Sequence, residues 1–280
     1  MSAWSPSILK VILAGRTSSA PRIKKELHRQ NPAFDENLNG VPIRLLEATR
    51  SRPCSMRAGS PFPMPRDAMK IFHPRPDDQG RAVLIARPGT ASPTSTWNDP
   101  EATVVVLPDG AVPTALNGVP FTPWDPPVNA RAWWSAEATR MALPEPAFEC
   151  PAGMKPAAGA FVLEPDGRAW AVAPSNRFGG HEFTLPKGRL DGRSLAATAL
   201  VEVFEETGLR IRLDGFLCDM RRKETFTRFF LGTRLEGSPA LMGWESQSVV
   251  LAPLAVLRAM LTHPGDQVVL QAFDQRIRHQ

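Results

Sequence analysis

The 280 residues contain no tyrosine and three cysteines, Cys54, Cys150 and Cys218. So few, scattered and unpaired thiols exclude a disulfide framework and a cysteine-based zinc site, and they suit a reducing, cytoplasmic setting. No apolar run approaches the roughly eighteen residues that a membrane-spanning helix needs. The patch Ile8 to Ala14 is short and carries Lys10. The basic, serine-rich start has targeting-like elements, but Glu26, Asp35 and Glu36 interrupt them and no secretory cleavage pattern follows.

Charge of neither sign is scarce: 33 Lys and Arg stand against 28 Asp and Glu, a net of +5. The bias lies in residues 1 to 60, where ten basic residues face four acidic ones. Without a zinc finger, a glycine-rich clamp or a basic-aromatic repeat, that excess does not imply nucleic-acid binding. A polyanionic small molecule explains it equally well.

What the chain does have is proline, 29 residues, most of them between Cys54 and Pro156. Proline fixes φ and donates no hydrogen bond, so this density predicts a loop-rich region with short strands rather than helices. The organisation expected is a basic, peripheral segment over 1–60, a proline-rich small subdomain over 61–154 and a catalytic domain over 155–280. In the first, Ala20 to Gln30 could form one basic helix. In the second, Met69 to Phe72, Ala82 to Ala86 and Ala102 to Leu107 read as short strands.

From residue 155 the pattern is cleaner. Strands are expected at Ala158 to Leu163, Ala169 to Ala173, His181 to Leu185, Leu209 to Leu213, Phe216 to Arg221, Thr225 to Leu235 and Gln247 to Leu251. Ser194 is a suitable N-cap for a helix running to Thr207, with Gly208 as its stop. Pro253 opens a helix to about Leu261, and Asp266 to Arg276 forms the last one. This order predicts an α/β fold, a mixed sheet with helices on both faces.

The helix after Ser194 carries Glu202, Glu205 and Glu206. Residues three and four apart share a helix face, so Glu202 lines up with both of the others. Like charges at that spacing repel, which costs stability unless a cation lies between them. A hard divalent ion with oxygen ligands, Mg²⁺ with Mn²⁺ as the alternative, accounts for the arrangement.

The run Val201-Glu202-Val203-Phe204-Glu205-Glu206-Thr207-Gly208-Leu209, preceded by Thr184-Leu185-Pro186-Lys187-Gly188, resembles the signature box of the Nudix hydrolases. The lead-in is similar to that of the branch acting on dinucleoside polyphosphates and diphosphoinositol polyphosphates. Val201 stands where the family has an arginine, and the loop after Gly188 is one residue short. The family's loop glutamate has no clean counterpart: Asp191 is nearest in chemistry and Arg193 in position. The resemblance implies an α/β/α sandwich and metal ligation by Glu202, Glu205, Glu206 and the Gly188 carbonyl. It also implies hydrolysis of a phosphoanhydride in a nucleoside polyphosphate, a dinucleoside polyphosphate or a related compound.

Glu202, Glu205, Glu206 and Glu245 are the catalytic candidates; Glu245 follows Gly243-Trp244 in a loop where the family often places such an acid. Lys187, Arg189, Arg221 and Arg228 are the substrate-binding candidates, because cations offset phosphate charge and arginine holds phosphate bidentately. Trp170, Phe178 and Trp244 are candidates for stacking on a base. Two other readings stay open: an ADP-ribose or nucleotide-sugar pyrophosphatase, and a weakly catalytic module that binds a nucleotide or protein. The expected partner is a small phosphorylated substrate, with a homodimer left open and neither nucleic acid nor a membrane involved.

Overall fold

Eight consecutive residues, Lys155-Pro-Ala-Ala-Gly-Ala-Phe-Val162, form strand β4, and the last six are buried. Burial that ignores the period-two alternation marks a strand covered on both faces. The computed structural model describes residues 71–86, 89–175 and 181–279. The basic segment 1–60 with its expected helix, Met69 and Lys70, and the loop from Asn176 to Gly180 with Phe178 lie outside them.

The strands in chain order are β1 (Val104–Val106), β2 (Ala115–Leu116), β3 (Val119–Pro120), β4, β5 (Arg168–Pro174), β6 (Lys187–Arg189), β7 (Leu209–Arg221), β8 (Thr225–Gly237) and β9 (Ser246–Pro253). One sheet has the order β6-β4-β8-β7, with β4 parallel to β8 and the other pairs antiparallel. A second, antiparallel sheet runs β1-β9-β5, and β2 and β3 form a hairpin. A mixed-sheet α/β fold was expected and is found.

Three strand expectations need correction. Among the described residues of Met69 to Phe72 and Ala82 to Ala86, the ladder is a single bridge, Phe72 to Leu84. Leu209 to Leu213 and Phe216 to Arg221 are one strand, β7, whose ladder shifts register at three places including Leu213/Gly215. Gly215, at φ 149°, lets the chain bend without leaving the sheet. The span His181 to Leu185 contributes a single bridge, Thr184 to Val172, and the ladder starts instead at Lys187. Pro186 has no amide to donate, so regular pairing resumes only after it.

Four α-helices are described: α1 (Ala130–Met141), α2 (Leu195–Thr207), α3 (Leu254–Met260) and α4 (Pro264–Arg278). Helix α1 contradicts the expectation that the proline-rich region holds no helix. Its twelve residues contain no proline, and Trp134 and Ala138, one turn apart, are buried. Trp124, Trp133, Trp134 and Phe204 of α2 form one cluster, with Phe204 5.0 Å from Trp124 and 5.8 Å from Trp134 between ring centroids. The buried aromatic area favours a helix at a place where proline density alone argues against one.

The proline-rich residues are tied down by three buried arginines from the sheets. Arg168 of β5 donates to the carbonyls of Trp97 at 2.6 Å and Asp99 at 3.1 Å, and pairs with Asp166 at 2.7 Å. Arg234 of β8 donates to the Leu116 carbonyl at 2.9 Å and the Val119 carbonyl at 3.3 Å, pairs with Glu164 at 2.6 Å and lies over Phe121. Arg228 of β8 does the same for Pro146 and Ala147, at 2.9 and 3.4 Å. Irregular chain leaves carbonyls without ladder partners, and a guanidinium offers five donors to satisfy them.

The side chains of Glu164 and Arg234 are each 1 % exposed, so removing one strands a buried charge. Arg234→Met is expected to cost about 3–5 kcal/mol of unfolding free energy in denaturant titrations. Adding Glu164→Gln should recover part of that loss. Equal stability of Arg234→Met and the parent would contradict this role.

Candidate active site

The box begins in β6, where Gly188 pairs with Ala158. A tight turn follows: Asp191 and Gly192 both take positive φ, at 44° and 77°, and the Arg193 amide closes onto the Leu190 carbonyl at 2.8 Å. Arg131 of α1 donates to the Asp191 carbonyl at 3.2 Å, so the shortened loop is buttressed from outside the box. Ser194 then caps α2, its Oγ accepting from the Ala197 amide at 3.2 Å. Gly208, left-handed at φ 69°, ends the helix with its amide on the Phe204 carbonyl at 2.7 Å.

Helix α2 buries Ala196, Ala197, Ala199, Leu200, Val201 and Val203, and that packing fixes its rotation. Glu202, Glu205 and Glu206 are thereby turned toward β6 and the loop before β9. Glu202 is 8 % exposed. A β-carbon on Gly188 would overlap the Glu202 carboxylate, so glycine is what lets that acid lie against the β6 backbone. Glu206 accepts from the Lys187 amide at 3.1 Å. The loop carrying Glu245 is stitched to both neighbours. The Gly243 amide donates to the Glu205 carbonyl at 2.7 Å, and Ser175 at the end of β5 donates from its amide to the Glu245 carbonyl, also at 2.7 Å.

Four acids thus act on one another. Burial, and then the charges of Glu206, Glu205 and Glu245, push the Glu202 carboxyl up to about 9. Glu206 is pushed up to about 7, by burial first and against the opposing charge of Lys187. Glu205 is raised by burial, with Arg193 opposing and Glu245, Asp78 and Asp191 adding to the rise. Partial burial and the Asp78 charge raise Glu245. Both Lys187 and Arg193 relieve the repulsion only in part.

Among the described residues no group of three His, Cys, Asp or Glu stands in an arrangement ready to hold a metal ion. The donor chemistry nonetheless fits one. The side chains are carboxylates, which hard divalent cations prefer, and burial followed by one another's charge raises their proton affinity. Glu202, Glu205 and Glu206 are the residues that could hold it.

The expected substrate-binding residues are not brought together. Lys187 is half-buried within the acid group, where its charge reaches Glu202, Glu206 and Glu245. Arg189 lies exposed on β6, and Arg221 lies exposed at the end of β7, with its Nε 3.0 Å from the Met154 sulfur. Arg228 corrects its expectation. At 1 % exposure it is sealed between Asp219 and Glu145, with Phe148 and Phe216 against its faces, and is committed to structure. Trp170, expected as a stacking surface, is fully buried and donates to Glu164. Sequence reasoning missed Asp78 and Arg131, which lie far from the box along the chain and carry no local signal of their role.

No curated protein gives a significant match to this chain. Residues 153–273 match the model of the NUDIX domain. Solved structures similar to the chain include an Ap4A hydrolase binary complex from C. elegans (18 % identity, 44 % of this chain and 99 % of that one, TM-score 0.37). A NUDIX hydrolase from Nitrosomonas europaea (14 %, 44 % and 89 %, 0.35) and a MutT protein from Methanosarcina mazei Go1 (17 %, 46 % and 98 %, 0.36) are others. Helices found among the described residues include none long and apolar enough to cross a membrane. The segment 153–273, which carries the glutamate-bearing helix α2, is therefore similar to the NUDIX domain.

Proposed function

We propose that this chain is a divalent-ion-dependent hydrolase of phosphoanhydrides in nucleoside polyphosphates or dinucleoside polyphosphates. General phosphoanhydride hydrolysis is supported by the Nudix domain match. The observation that carries the reading is the placement of Glu202, Glu205 and Glu206 on one helix turn, partly desolvated, with Glu202 against the Gly188 backbone. The polyphosphate preference rests on the lead-in Thr184-Leu185-Pro186-Lys187-Gly188.

A bound divalent ion would draw negative charge from the anhydride oxygens and favour ionisation of a water. The remaining work falls to the chain. Glu202, Glu205 and Glu206 supply oxygen donors and must give up protons to do so. Glu245, held at the rim through Ser175 and Gly243, is suited to accept a proton from the attacking water, because its raised proton affinity moves it toward neutrality. Lys187 offsets negative charge as the polyphosphate enters. Arg193 does the same for Glu205 from the loop side.

A second reading, a nucleotide-binding module without turnover, is favoured by one observation. Val201, in the arginine position of the box, is a core residue at 2 % exposure and contributes nothing to the acids. Kinetics separate the readings. With Mg²⁺ or Mn²⁺, a panel of nucleoside triphosphate, dinucleoside tetraphosphate and ADP-ribose should give the highest kcat/KM for a polyphosphate. Glu206→Gln should lower kcat by about 100-fold or more. Fastest turnover of ADP-ribose would overturn the substrate class, and no turnover of any compound would favour the binding module.

Gly188→Ala probes the cradle itself. The new methyl group meets the end of a flexible side chain, so folding should survive while Glu202 is displaced. Calorimetry should show divalent-ion affinity reduced about tenfold, equivalent to about 1.4 kcal/mol, with Tm little changed. Unaltered affinity would show that Glu202 does not need its place against β6.

A further inference from the structure

Asp78 lies outside the segment that matches the Nudix domain, yet it reaches the rim of the acid group. The described residues around it and around the site fall within one compact unit. Its turn is pre-formed. The Asp77 carboxylate accepts from the amides of Gln79 at 3.0 Å and Arg81 at 2.8 Å and from Arg81 Nε at 2.7 Å, and the Gly80 amide closes onto the Asp77 carbonyl. Such bonds hold the turn in one conformation and leave the next side chain, Asp78, exposed and free to reach outward.

The turn is docked as well as formed. His73 and Val83 share a backbone hydrogen bond, as do Ile85 and Ile71, so the two arms stay together. Arg75 Nη1 donates to the Met242 carbonyl at 3.0 Å, and Nη2 is 3.8 Å from Asp109. Arg75 therefore fastens the arm to the start of the loop that carries Trp244 and Glu245. At the far side of the same loop, Trp244 Nε1 donates to Asp78 Oδ1 at 3.2 Å.

We propose that Asp78 is a positioning residue for the hydrolytic site, fixing the Trp244 indole and through it the direction of the adjacent Glu245. The indole has one polar atom, and a carboxylate acceptor gives it a charge-assisted bond stronger than a neutral partner would. The Ser175 and Gly243 bonds hold the loop backbone, and Asp78 restrains the side-chain layer above it. A general base must be held within a fraction of an ångström of its working direction, since small misplacements are costly in rate. The inference rests on the hydrolase reading and on Glu245 as the proton acceptor.

The test is a kinetic cycle on the full chain, with Mg²⁺ and the best polyphosphate of the panel. Asp78→Ala and Trp244→Phe should each lower kcat about tenfold with KM changed less than about twofold. The double variant should be no worse than either one. Asp78→Asn keeps an oxygen acceptor and should restore most of the rate lost in Asp78→Ala. In a Glu245→Gln background, Asp78→Ala should have no further effect. Wild-type activity in Asp78→Ala, or full additivity with Trp244→Phe or Glu245→Gln, would overturn the inference while leaving the hydrolase intact. Absence of turnover in the parent chain would overturn the hydrolase reading and the inference with it.

Discussion

Three carboxylates forced together by the rotation of one helix are the constraint on which the rest of the structure depends. Helix α2 cannot turn away from the repulsion, because Ala197, Leu200, Val201 and Val203 lock its other side into the core. Nor can Glu202 move far, since it lies against the β6 backbone where Gly188 has no side chain. The apolar face of the helix therefore decides where the charges sit. Burial and then mutual repulsion raise the proton affinity of these acids, with Lys187 opposing at Glu202 and Arg193 at Glu205. In the proposed function a divalent cation, and through it a polyanion, would offset that repulsion.

Arginines solve a second problem. Between residues 93 and 150 the chain is rich in proline and poor in ladders, yet its backbone carbonyls must find donors. Arg168, Arg228 and Arg234 provide them from buried positions on β5 and β8, each anchored in turn by a carboxylate. The guanidiniums of Arg228 and Arg234 also meet aromatic faces, at Phe148 and Phe216 and at Phe121. This use accounts for an arginine buried inside the apolar strand Phe226-Thr227-Arg228-Phe229-Phe230. Its donors are spent on the residues that wrap the domain.

How legible was this from the sequence? Helix α2 could be read to its ends, because a serine cap, a glycine stop and an apolar face agree at every level. The strands β4, β5, β8 and β9 were readable for the same reason. Strand β7 was read as two, since Asp214-Gly215 has the chemistry of a turn as well as of a bulge. Helix α1 was hidden by neighbouring prolines, although Ala130 to Met141 itself has none. Within the site, the acids on one helix could be found from spacing alone, whereas Asp78 and Arg131 arrive by tertiary docking. Residues brought in from over a hundred positions away along the chain, as Asp78 is to Trp244, leave no local trace.

Proton bookkeeping on ion binding tests the central claim most directly. Without an ion, Glu202 holds its proton up to about pH 9 and Glu206 up to about 7, so binding in the neutral range must displace protons. Calorimetric titration with Mg²⁺ or Mn²⁺ near pH 7.5, in buffers of different ionisation enthalpy, should show about one proton released per ion. Raising the pH above roughly 10, where both acids are already ionised, should abolish the release. Ion binding with heats that do not depend on the buffer, or no binding at all, would contradict the account.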